Sequence, residues 1–258
     1  MTWFRRKRAR LEEPFPEEWR AILDANVVHW SYVTADEREH LEDTILWLIV
    51  DKHWEGARGF VLTDEIRVTI AAQAALLVLG FDEDPYVNVG TIIVHPTTMT
   101  FTGPRGGTIP GTVVDSPLHA LGVAHYDGPL IIAWDEALAC ARHPERGHNV
   151  VYHEFAHKLD MLDGVIDGTP PLPTREAMQR WIEVCTAEYE SLQRGEADPL
   201  LGSYAGVDPA EFFAVTTELF FDLPVELETA KPALYGVLRD FYRQDPARRV
   251  RDYSSQRK

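Results

Sequence analysis

The stretch VVYHEFAHKLDMLDG, residues 150–164, sets His153 and His157 four apart with Glu154 directly after the first. On a helix this spacing stacks both imidazoles on one face, one turn apart, where both reach a single ion. Zinc takes nitrogen ligands in tetrahedral geometry, and a glutamate between two such ligands stands where it can take a proton from a water at the metal. Asp160 continues the face, and a carboxylate there can accept the second ring N–H of a ligand histidine and so fix its tautomer. A helix that merely carries two histidines has the same spacing. The apolar Val150, Val151, Phe155 and Leu159 favour the metal reading, because they would hold the site rigidly in a core.

A catalytic zinc takes three protein ligands and keeps one position open. A metzincin would place glycine at 160 and histidine at 163, where this chain has Asp160 and Asp163. Without the glycine turn, Asp163 is the weaker candidate. A gluzincin draws a glutamate from a later helix, and SYAGVDPAEFFAVTTELFFD, residues 203–222, offers one. Asp208 reads as its N-cap and Pro209 as its first helical residue, which puts Glu211 in the first turn. With Phe212, Phe213, Leu219 and Phe220 toward a core, Glu211, Ala214, Val215 and Glu218 share another face. Asp208 and Glu211 also fit a capping box, in which the glutamate bonds back to the cap residue. Spacing leaves both readings open. Glu218 reads as a solvated helix charge more readily than as a group behind the ligands. Tyr204 reads as a packing residue or as a hydroxyl donor to a developing oxyanion. His143 and His148 flank the motif without useful spacing and read as surface or capping residues.

The elements that must position these groups are legible in outline. EEWRAILDANVVHW (17–30) and TADEREHLEDTILWLIVDKHW (34–54) carry apolar residues at three- and four-residue spacing and predict two helices. Thr63, followed by Asp64 and Glu65, caps a third, apolar helix that runs to Leu79 and is closed by Gly80. YVNVGTIIVHP, GTVVDSP and GPLIIAWD are valine- and isoleucine-rich runs bounded by Gly, Pro and Asp, and predict strands. The Gly- and Pro-rich TMTFTGPRGGTIPG (98–111) between them predicts a hairpin or loop close to a sheet edge. From Glu136 onward the pattern is helical again, with Asn149 capping the motif helix and DGTPPLPT (167–174) as a loop. Helices, a small sheet, then helices make an α+β domain: mainly helical, with a small mixed sheet beside the motif helix. We expect one such domain over 14–244, between a basic N-terminal tail (1–13) and a basic C-terminal tail (245–258), both read as solvated, with a phosphate-contacting patch as the alternative.

The 258 residues carry 25 lysines and arginines against 41 acidic residues, a net charge of −16 that argues against a nucleic-acid or anionic-membrane binder. The longest apolar stretch, Val68 to Phe81, falls short of the roughly 20 residues a membrane span needs and predicts a buried helix. The basic start RRKRAR leads into LEEPFPEEW, not an apolar run, so a secretory signal is not expected. Cys140 and Cys185 are too few for a disulfide framework and suit a reducing cytoplasm.

HEFAHKLDM at 153–161 and DPAEFFAV at 208–215, with LLVLGF at 76–81 and GPLIIAWDE at 128–136, resemble the Mlc titration factor A family of bacterial zinc metallopeptidases. The resemblance covers nearly the whole chain and implies a fold related to the catalytic domain of anthrax lethal factor. It also implies a cytoplasmic location and aminopeptidase activity on peptide or protein substrates, with one zinc per chain. By position it implies His153 and His157 as histidine ligands, Glu154 as catalytic base and Glu211 as third ligand, with Tyr204 beside the site. The family's namesake binds a glucose-responsive repressor; no residue of this sequence marks that interface. The rival expectation is a regulatory protein that sequesters such a transcriptional repressor and keeps its zinc for structure. Glu154 argues for the enzyme, since a structural site has no use for a base.

Overall fold

The structure, a computed structural model, describes residues 14–97 and 128–256, with the backbone of four two-residue strands between them. Helix α1 (Glu17–Asn26) leads through a 3-10 turn at Val28–Ser31 to α2 (Ala35–Asp51). A complete capping box starts α2: Thr34 caps the Glu37 N–H, and the Glu37 carboxylate accepts the Thr34 N–H. The sequence reading runs this helix on through Trp54, but it stops at Asp51 and His53–Gly56 forms strand β1. The strand is only four residues long, and its partner, not its own pattern, makes it one.

The Thr63 hydroxyl caps the Ile66 N–H and opens α3 (Asp64–Leu77), which is buried from Val68 to its end, as its composition predicts. Strands β2 (Thr91–His95) and β3 (Leu130–Ala133) complete a three-stranded parallel sheet in the order β1-β2-β3. His53 pairs with Thr91 and Gly56 with Val94; Ile92 pairs with Leu130 and His95 with Ala133. Parallel strands need long crossovers, and α3 supplies the first. Among the described residues, antiparallel pairing is confined to separate two-residue ladders, Met99–Thr100 with His119–Ala120 and Arg105–Gly106 with Val113–Val114. The second of these pairs part of the Gly- and Pro-rich segment with part of GTVVDSP; the residues between them lie outside the described residues.

Helix α4 (Trp134–Arg142) follows β3 directly, then α5 (Val150–Asp160), which carries the histidine pair. Helices α6 (Arg175–Gln193), α7 (Pro209–Asp222), α8 (Pro224–Ala230), α9 (Pro232–Tyr242) and α10 (Pro246–Gln256) complete the chain. Helix α5 lies among α3, α4, α7 and β3, and every one of its residues is buried. Phe213, Phe220 and Phe221 of α7 pack edge-on or stacked against Trp181, Tyr235, Phe241 and Tyr242. At about 1.5–3 kcal/mol per fully buried aromatic side chain, this contact fixes α7 firmly against its neighbours. It is the reason a glutamate on α7 can be held at a constant distance from α5.

The expected N-terminal tail lies outside the described residues. The expected C-terminal tail is not one: residues 246–256 form α10, whose Arg249 gives two N–H bonds to Glu37 Oε1 at 2.9 and 2.6 Å. Ala247 is buried and Tyr253 packs on Tyr32, so Arg248 and Arg251 stand on the outer face of an amphipathic helix while Arg249 is largely buried against Glu37. No helix among the described residues is long and apolar enough to cross a membrane.

Candidate metal centre

Asn149 starts α5 by accepting the Val151 and Tyr152 N–H groups, each at 3.1 Å, on its side-chain oxygen. Its amide nitrogen donates to Gln73 of α3, so the cap also ties the helix to the core. Asp208 starts α7 in the same way, accepting the Glu211 N–H at 2.9 Å, with Pro209 next. In a capping box the Glu211 carboxylate would bend back to Asp208. Its Oε2 instead faces the histidines, 3.0 Å from His153 Nε2 and 3.8 Å from His157 Nε2. The two Nε2 atoms face each other at 3.1 Å. These three buried groups form a cluster whose donor atoms lie within 4.8 Å of one another.

Ligands about 2.0–2.1 Å from a tetrahedral zinc stand about 3.3 Å apart, so the separations here match a shared ion. The electrostatics agree. Burial would strip His153 of a second proton, but the carboxylates of Glu211 and Glu218 on either side of its ring push its pKa well above the ordinary value. Burial pushes His157 the other way, to about 4. The pocket therefore calls for a positive charge between its three donors, which a divalent ion supplies, and the two nitrogens and one oxygen suit zinc chemistry.

Glu218 is where the sequence reading falls short. It is buried, not a solvated charge, and lies two turns from Glu211 on the same face of α7. His153 Nδ1 donates to its Oε1 at 2.7 Å, which turns Nε2 toward the pocket, where an ion would displace its proton and take the lone pair. Its Oε2 accepts the Asn149 N–H at 2.6 Å and meets His148 Nδ1 at 2.6 Å. Against the desolvation of burial, the bonds from His148 and His153 hold its pKa below the usual carboxylate range. The seven-residue spacing from Glu211 was the available signal for this role. Glu218→Ala should lower metal affinity about 10- to 100-fold, since the His153 ring loses its anchor; competition with a chromogenic chelator measures it.

Asp160 does not take the expected part. Its Oδ2 accepts the Gly168 N–H at 3.0 Å, while its Oδ1 and His157 Nδ1, both buried, have no hydrogen-bond partner. Burial raises its pKa to about 7. Its work is structural, holding the 167–174 loop to the end of α5. That loop passes so near α7 that a Cβ on Gly168, at φ 74°, would stand 2.1 Å from the Pro209 carbonyl oxygen. Gly168→Ala should therefore destabilise the fold by at least about 2 kcal/mol, through both strain and overlap, as chemical denaturation would register.

Asp163 is exposed in a 3-10 turn, with its Oδ1 accepting the Val165 N–H at 2.9 Å, away from the cluster. Tyr204 opens a 3-10 turn just before α7, its ring 6.1 Å from that of His153. Burial, then the charge of Glu211 and a hydrogen bond to it, raise the Tyr204 pKa, so the phenol stays protonated and able to donate. Glu154 is 2% exposed, and burial raises its pKa to about 8, with Glu211 and Glu218 adding to the rise.

The sequence pattern of a family described as glucose-regulated metallo-peptidase M90 matches residues 1–243 of the chain. An uncharacterized protein of Synechocystis sp. is 36% identical over 247 residues, covering 93% of this chain and 89% of that protein. Mlc titration factor A of Serratia proteamaculans is 31% identical over 223 residues, covering 83% and 84% respectively. Mlc titration factor A of Pectobacterium atrosepticum is 28% identical over 245 residues, covering 93% and 90%.

Proposed function

The chain belongs to the glucose-regulated metallo-peptidase M90 family, a family of metallopeptidases, and on that footing we propose that it is a zinc-dependent aminopeptidase of the gluzincin type. The observation that carries the reading is the convergence of His153 Nε2, His157 Nε2 and the Glu211 carboxylate from two helices, with Glu154 between the histidines. These three residues would hold the ion, one per chain. When bound, zinc lowers the pKa of water and polarises the scissile carbonyl. Glu154 takes the proton of the attacking water and delivers it to the leaving amine nitrogen. Tyr204 donates its hydroxyl hydrogen to the oxyanion that forms as the carbonyl is attacked. Glu218 keeps the His153 ring in register throughout.

The substrate is a peptide or protein. Strand β3, at the edge of its sheet among the described residues and beside α5, can pair with an extended backbone. The preference for a free amino terminus rests on the family resemblance, as does cytoplasmic residence, with which the free thiols of Cys140 and Cys185 agree. The zinc-loaded chain should cleave amino-acid anilides and unblocked short peptides and spare the same peptides with acetylated amino termini. Cleavage of both alike would make it an endopeptidase; cleavage of neither would remove the enzyme reading.

A second reading has support in the relatives' name. Two similar proteins are called Mlc titration factor A, which describes titration of a partner, and this chain would by analogy bind a transcriptional repressor. Repressor binding does not need a base at 154, so the two functions separate in Glu154→Gln.

A further inference from the structure

We propose that Glu136, Cys140 and His148 form a second, outer metal site for a thiophilic divalent ion such as zinc, joined to the inner site through the carboxylate of Glu218. Glu136 and Cys140 stand one turn apart on α4, and His148 comes from the turn just before Asn149. Cys140 Sγ lies 3.8 Å from Glu136 Oε1, and His148 Nε2 lies 3.8 Å from the same oxygen. One sulfur, one nitrogen and one oxygen, all within 4.8 Å of one another, make a donor set that zinc accepts. The fourth position falls to solvent, since the His148 and Glu136 side chains are 46% and 35% exposed.

The position of the His148 ring carries the argument. Its Nδ1 is 2.6 Å from Glu218 Oε2 and so bears the hydrogen of that bond. Its Nε2 faces Glu136 Oε1 at 3.8 Å, too long for a hydrogen bond, and the Cys140 thiol hydrogen-bonds to that same oxygen. Imidazole nitrogen, sulfur and carboxylate oxygen thus turn toward one shared space, where an ion would take the place of the protons. Glu218 meanwhile gives Oε1 to His153 and Oε2 to His148, so one carboxylate orients a histidine of each site. Loading replaces the thiol proton. Cys140 releases it to solvent and the thiolate sulfur bonds to the ion, against the burial that raises the thiol pKa.

The inner donors include no sulfur, so a thiolate band reports the outer site alone, whether or not the peptidase reading holds. The full-length chain, loaded with one equivalent of zinc, is titrated with cobalt(II). A thiolate-to-cobalt charge-transfer band should grow in and saturate at one cobalt per chain. It should be lost in Cys140→Ser, which should keep its peptidase activity, and persist in Cys185→Ser. Glu136→Ala, a change on a partly exposed side chain that spares the fold, should weaken cobalt binding at least about tenfold. No band in the unaltered chain, or a band that survives Cys140→Ser, overturns the site. If Cys140→Ser does not fold, unchanged cobalt affinity in Glu136→Ala overturns it equally.

Discussion

Glu154→Gln should keep its zinc and its fold while losing about 10²- to 10⁴-fold of its peptidase activity. The amide has the shape of the carboxylate and fills the same buried space, so α5 and its packing should not change. What is lost is the capacity to accept a proton. Without metal, burial and the charges of Glu211 and Glu218 push the Glu154 pKa to about 8, so the carboxyl is largely protonated near neutral pH. A cation held by the adjacent His153, by His157 and by Glu211 reverses that balance, because a nearby positive charge favours the ionised form. On the proposed reading, metal binding would itself make Glu154 ready to act as the base. Anilide hydrolysis read alongside zinc content checks the prediction, and a repressor-binding activity, where one exists, should survive unchanged. Glu154→Gln that hydrolyses at the unaltered rate would leave the repressor-binding reading ahead.

Glu211→Ala should weaken zinc binding by well over the 10- to 100-fold typical of groups that merely orient ligands, whereas Asp163→Ala should stay at or below that range. Glu211 sits on a helix whose phenylalanines are locked into an aromatic cluster, and its carboxylate meets both Nε2 atoms. Asp163 is exposed beyond the end of α5, where Gly164 at φ 89° turns the chain away. Chelator competition on the two variants, with circular dichroism to show that each is folded, gives the comparison. Asp163→Ala shedding zinc while Glu211→Ala holds it would return Glu211 to the role of a cap residue.

Much of this centre was legible because its parts are local. Three caps were readable from Thr63, Asn149 and Asp208, and the histidine spacing needs only a helix to become a face. The phenylalanines of α7 announced a packed face, though the face that carries Glu211 and Glu218 is buried as well. What the sequence did not carry is the far partner of each group. Asp160 and Glu218 are both carboxylates at helical spacing from a site residue, and only the approach of α7 to α5 decides that Glu218 meets His153 while Asp160 meets Gly168. His148 looked idle for the same reason: its partner is seventy residues away in sequence. Strand β1 and helix α10 were missed on different grounds. Four residues hold too little pattern to show a strand, and a basic surface on a short amphipathic helix reads as a tail until the Glu37 it binds is known.

The most direct test of the centre is anomalous diffraction at the zinc absorption edge from crystals of the full-length chain given one equivalent of zinc. A single peak should lie between His153 Nε2, His157 Nε2 and the Glu211 carboxylate, at about 2.0–2.2 Å from each ligand atom. A crystal with full zinc content and no peak among those three residues would contradict the account.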